Sequence, residues 1–179
     1  MHIEHHLPLV EEILSPFKAV IGDDFTGYRN HVYRVIHLCF AQGPLDEMQR
    51  EKIQIAACFH DIGLWTARTL DYLAPSEADA ERYLLARGKR EWVDEIVQMI
   101  EGHHALRSRH DSPFALVELF RRADIADFSL GMVSMGLPAT LLGQLKAEFP
   151  NAGFHRCLLK LGMAWCVRHP FNPLPMFRR

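Results

Sequence analysis

The stretch Ala56-Ala57-Cys58-Phe59-His60-Asp61-Ile62-Gly63 constrains this chain more than any other, because an apolar run closes on a histidine, a carboxylate and a glycine. Ile53, Ala56, Ala57 and His60 recur at helical spacing, so one face carries three apolar groups and then a polar one. Gly63 falls where such a helix would stop, in the left-handed conformation that glycine accepts. The spacing thus places His60 and Asp61 at the buried end of an inward-facing helix. An ionised carboxylate is costly there unless a cation or a hydrogen-bonding partner compensates it. A divalent metal supplies that compensation, and imidazole with carboxylate suits zinc, iron, manganese or nickel.

The dipeptide is not diagnostic by itself. A second one, His110-Asp111, sits in the polar loop at residues 107–113 and reads as solvated. His60-Asp61 differs in its apolar setting and in the ligand candidates found elsewhere.

A helix is predicted over residues 25–40, with Tyr28, His31, Val32, Val35, Leu38 and Cys39 on one face. His31 is the only histidine on that stripe, and His37 is expected to face solvent. Arg34 lies one turn beyond His31, so its guanidinium can reach the same pocket. Asp46 caps the helix that ends in His60. Residues 64–75 form a loop of aromatics and turn formers suited to wall a pocket above the ligands. Ser76, with Asp79 three residues on, reads as a helix start of the capping-box kind, and Glu77 is left open as a carboxylate facing the site. The stripe Val93, Ile96, Val97, Ile100 continues onto His103 and His104. Ser112-Pro113 marks another helix start, after which Val117, Phe120 and Asp124 share a face. Asp127 is either an acceptor behind the ligands or solvated, and Arg121 and Arg122 are surface charges or partners to these acids.

At the ends, His2, His5 and His6 read as an exposed terminus. Leu9, Ile13, Phe17 and Val20 mark a first helix that Pro16 bends or shortens. Pro138 starts a helix and the last one covers about residues 154–168. The tail at residues 170–177 carries three prolines and cannot be helical. Its apolar residues are expected in a groove on this or another subunit, which leaves a homodimer open. No segment has strand period. The expectation is one all-α domain over residues 1–179, a bundle of about seven or eight helices, with its core at residues 28–128 and C-terminal helices and tail at 138–179.

A formal net charge of -2 gives no general attraction to nucleic acid or acidic membranes. The four cysteines form no close-spaced pair and sit in apolar patterns, as reduced core residues of a cytoplasmic protein do. No signal peptide and no uncharged stretch of membrane-spanning length is apparent.

His31, His60, Asp61 and Asp124 are therefore four metal-binding groups, each on the inward face or end of a predicted helix. Their order, His, His-Asp and a distant Asp, resembles the HD superfamily of metal-dependent phosphohydrolases over residues 28–128. The resemblance implies a helical bundle of the HD-domain type in which these four positions hold a divalent ion. It implies hydrolysis of a phosphomonoester, nucleotide or phosphodiester by metal-activated water. The substrate would be a small phosphorylated molecule, with Arg34 or Arg107 clamping its phosphate. His103 and His104 resemble the paired histidines of binuclear members, which makes them ligands of a second metal or catalytic groups. Those members usually carry one more histidine in between, and none occurs at residues 62–102. The Gly-Tyr-Pro signature of cyclic-dinucleotide phosphodiesterases is also absent after His104. The pattern does not distinguish Mn, Fe, Ni, Co, Zn or Mg, nor one ion from two. A di-iron oxygenase and a non-catalytic nucleotide or metabolite binder remain alternative readings.

Overall fold

A computed structural model describes residues 2–105 and 107–178, without the side chains of Phe177 and Arg178. It is all helical, with no strand among the described residues. In chain order the helices are α1 (Pro8–Leu14), α2 (Lys18–Ile21), α3 (Phe25–Phe40), α4 (Glu47–Phe59) and α5 (Gly63–Thr66). There follow α6 (Leu73–Ala86), α7 (Val93–Gly102), α8 (Ala115–Phe128), α9 (Ala139–Glu148) and α10 (Phe154–Arg168). Of these, α2 and α5 are single turns of four residues, which leaves eight longer helices, as expected. No helix is long and apolar enough to cross a membrane among the described residues.

Helix α3 is the axis of the bundle. It packs on α4 and α8, and α7 closes the other side against α4, α6 and α8. Its predicted stripe is buried throughout, from Tyr28 to Cys39, and the Tyr28 hydroxyl donates to the Cys58 carbonyl 2.9 Å away. That bond ties the first turn of α3 to the end of α4, just before His60. Asp46 and Gln49 form a reciprocal capping box that fixes the start of α4.

Several local expectations are corrected. His37 is buried, because the N-terminal segment lies over α3 and its Glu4 carbonyl stands 3.0 Å from His37 Nε2. Val20 is 41% exposed while Val10, Leu14 and Ile21 are buried. The 3-10 turn Ser15–Phe17 around Pro16 resets the helical phase. Helix α6 starts at Leu73, so Ser76 lies inside it. Its hydroxyl accepts from Gly63 N at 3.0 Å, and Asp79 pairs with Thr66 and Arg82. Helix α8 starts at Ala115, two residues after Pro113, and Ser112 caps the preceding turn through Phe114 N. The tail is not α-helical, but residues Pro175–Arg178 form a 3-10 turn and Met176 packs on the core. Phe171 of the tail is 93% exposed, and the Phe177 side chain lies outside what is described.

Gly63 also differs in its reason. It opens α5 with no left-handed backbone. A Cβ there would collide with the Tyr72 carbonyl oxygen and lie 3.0 Å from Ser76 Oγ and 3.1 Å from Pro75 Cβ. The α5–α6 connection thus passes directly over the turn carrying His60 and Asp61. Gly63→Ala is expected to cost about 1–3 kcal/mol, since backbone must move. Gly143→Ala, where a Cβ meets nothing within 4 Å, is expected to be neutral or stabilising. Denaturant midpoints of the two variants measure the contrast, and equal midpoints would contradict it.

Candidate metal centre

The four helices α3, α4, α7 and α8 each bring a polar group to one buried point. His31 comes from mid-α3, and His60 and Asp61 from the turn that ends α4. His103 follows α7, and Asp124 projects from α8. All five are at most 4% exposed. Such burial in an apolar bundle demands that every polar atom have a partner.

The partners settle which nitrogen faces inward. His31 Nδ1 donates to Asp127 Oδ2 at 2.7 Å, His60 Nδ1 to the Ala57 carbonyl at 2.8 Å, and His103 Nδ1 to the Ile100 carbonyl at 2.5 Å. In neutral imidazoles this leaves each Nε2 as a lone pair turned toward the carboxylates. His31 Nε2 and His60 Nε2 are 2.9 Å apart. Asp124 Oδ1 lies 3.4 and 3.6 Å from them, and Asp61 Oδ2 lies 3.8 and 3.4 Å away. Four acceptors at such spacing repel one another unless a cation stands among them. Ligands about 2.1 Å from one ion sit about 3.0–3.4 Å apart, so the set fits a divalent ion. The Nδ1 bonds are the outer support that ligating histidines ordinarily have.

Asp61 has a second side. Its Oδ1 and His103 Nε2 are 3.5 Å apart, buried and without a hydrogen-bond partner among the described residues. Asp61, His103 and His104 form a second group whose ligand atoms lie close enough for an ion. The two groups share Asp61, whose Oδ2 faces His31 and His60 and whose Oδ1 faces His103. The His104 Nε2 and the Tyr72 hydroxyl share a hydrogen bond.

Without an ion, a proton does the balancing. Burial would lower the His31 pKa, but hydrogen bonds and charge from Asp124 and Asp127 raise it to about 9. Burial would raise the Asp61 pKa, yet His60, His103 and His31 hold it well below the usual range. Burial and the adjacent His103 push His104 down to about 3, so it is neutral at pH 7.

A family model described as HD domain matches residues 28–128, more than half of the chain. The chain belongs to the HD superfamily. Comparison with curated proteins and with solved structures gives no match. HD proteins as a family bind divalent metals, and the buried His/Asp group of this one could hold such an ion.

The expected ligand set His31, His60, Asp61 and Asp124 is thus brought to one point, with His103 beside it. The expected phosphate clamps are not there. Arg34 is buried, and its Nε and Nη2 donate to Asp127 at 2.6 and 2.9 Å while Nη1 donates to the Phe149 carbonyl at 2.8 Å. Its guanidinium holds the carboxylate that orients His31 and does not line the cavity described below. Arg107 is exposed and lines no part of the cavity described below. Arg121 is not a surface charge. It is buried, paired with Glu118, and donates to the Ala105 carbonyl at 2.9 Å, which steadies the chain just after His104. Glu77 is half-buried on α6. Sequence reasoning left Asp127 undecided and did not single out Tyr72. The signal for Asp127 was its i, i+3 spacing from Asp124.

Asp61, Asp124, Tyr72 and His104 open into a cavity of about 730 Å³. Phe128, the inner face of α10 and tail residues Leu174 and Met176 close its other walls.

Metal uptake by this HD centre is expected to displace about one proton, chiefly from His31. The folded pKa of His31 is raised from 6.5 to about 9. Its contribution to metal-free stability is therefore full below pH 6.5 and lost as pH rises through about 9. Metal affinity should rise over the same window, by up to about tenfold per pH unit. Calorimetric titration in two buffers of different ionisation enthalpy counts the proton, and an affinity flat from pH 6.5 to 9 would contradict the assignment.

Proposed function

We propose that this HD domain hydrolyses a phosphoester, with His31, His60, Asp61 and Asp124 holding the catalytic ion. The single observation that carries this reading is the convergence of Nε2 lone pairs and carboxylates, each histidine fixed by its Nδ1 bond, at the floor of an open cavity. A divalent ion held there lowers the pKa of water and offsets the charge that builds on phosphate.

In the reaction a water oxygen adds to phosphorus, the bond from phosphorus to the ester oxygen breaks, and the water proton leaves with the alcohol. The chain's own part is to fix and feed that exchange. Asp127 and Arg34 lock the His31 ring, so the ligand atoms are pre-set rather than ordered on binding. Asp61 and Asp124 stay ionised because histidines surround them. Tyr72 and His104 stand on the cavity side. Burial and the charges of Asp61 and Asp124 hold the Tyr72 pKa well above 10, so it remains a phenol able to donate. Neutral His104 beside it can relay a proton toward the leaving oxygen.

Purified protein, stripped with chelator and reloaded with Mn, Fe, Co, Ni, Zn or Mg in turn, should release phosphate from a panel of esters only when reloaded. No release with any metal, or oxygen uptake by the iron form, would overturn the reading in favour of binding or oxygenation.

A further inference from the structure

The ligand cluster forms the polar floor of its cavity, but the remaining walls have a different character. At about 730 Å³ the space is in the range of about 300–1,000 Å³ typical of small-molecule sites. Apart from Tyr72, His104 and His155, the lining above Asp61 and Asp124 is glycine, cysteine or apolar side chains. It includes Leu64 and Leu70 on one side and Leu158, Met163 and Val167 of α10 on the other. No lysine or arginine is among the described lining residues. Arg34 is turned to Asp127 and the Phe149 carbonyl and is not among the lining residues. Met163 and Val167 are 55% and 83% exposed, an apolar wall that gains by being covered.

We propose that this site takes an amphipathic phosphomonoester, one phosphate on an alkyl or prenyl chain, rather than a nucleotide. The proposal rests on the phosphohydrolase reading for the head group, but the body of the ligand is argued from the walls alone. A nucleotide would press ribose hydroxyls and base edges against walls with few partners, which costs binding energy for each lost hydrogen bond. A di- or triphosphate would bring further negative charge beside Asp61 and Asp124, where no lysine or arginine of the described lining meets it. An alkyl chain loses nothing there and gains with each methylene buried. The occupant is a small molecule rather than a second copy of the chain, because the cavity runs without a break onto Asp61 and Asp124.

Gly162 supplies a clean probe. It lines the cavity, and a Cβ added to it meets nothing within 4 Å among the described residues. Gly162→Phe therefore fills the cavity from mid-α10, where leaving glycine favours the helix. Binding of ethyl, butyl and octyl phosphate and of AMP to the metal-loaded full chain is measured by calorimetry, with phosphate release followed in parallel. Affinity should rise about two- to fourfold per methylene, octyl phosphate should outbind AMP, and Gly162→Phe should abolish the rise while metal content stays at the wild-type level. Octyl phosphate bound but not hydrolysed under any metal would sink the phosphohydrolase reading and leave this proposal standing. Hydrolysis with no dependence on chain length, or AMP bound more tightly, would overturn the proposal and leave that reading intact. No alkyl binding together with a dimer that Gly162→Phe dissociates would also overturn it, assigning the wall to a second copy.

Discussion

Asp61→Ala is expected to remove metal and activity together while the chain stays folded. Asp61 presents one oxygen to His31 and His60 and the other to His103, so its loss strikes both ligand groups at once. Losing the ion's share of transition-state stabilisation, about 4 kcal/mol, corresponds to a fall in kcat/KM on the order of 10³-fold. The fold should survive, because alanine leaves no unpaired charge of its own and the apolar stripes of α3, α4 and α8 are untouched. Metal content and phosphate release are measured on protein whose helical circular dichroism matches wild type. A variant that keeps its metal would show that Asp61 is not a ligand.

Asp127→Ala is expected to do more damage to the fold than to chemistry. Asp127 touches nothing in the cavity, yet it receives two hydrogen bonds from Arg34 and one from His31. Its removal leaves a guanidinium that is 2% exposed without its carboxylate. Breaking such a buried pair costs about 3–5 kcal/mol. Losing the partner of His31 Nδ1 should weaken metal binding by about 10–100-fold. The double variant Arg34→Met/Asp127→Leu separates the two effects, because two apolar residues remove the stranded charge. It should regain most of the lost denaturant stability and still bind metal poorly. If affinity returns along with stability, Asp127 acts on the metal only through the fold.

The sequence alone determined the parts that follow from spacing on one helix. The α3 stripe, the Asp46 cap, the bounds of α3 and α10 and the absence of strands were all legible, because helical period is a local property. So was the ordered set His31, His60-Asp61 and Asp124, since each ends or interrupts an apolar stripe, and a buried polar group there needs a reason. Burial from outside the helix was not legible. His37 looked solvent-facing until the N-terminal segment covered it, and Arg121, open between surface charge and partner to Asp124 or Asp127, is instead buried against Glu118 and the Ala105 carbonyl. Gly63 looked like a helix stop, whereas the crossing chain at Tyr72 sets its need. The largest reversal is Arg34. Its position one turn from His31 was correctly close to the site, but only the tertiary structure decided that Asp127 of α8 would capture it. A long cationic side chain goes to whichever carboxylate the fold brings within reach, and that partner is 93 residues away in sequence. For the same reason the candidate ligands and the wall at residues 64–75, where Leu64, Leu70 and Tyr72 line the cavity, could be named from the sequence, but the wall supplied by α10 could not. The cavity joins α8, α10 and the tail across distances that no local period records.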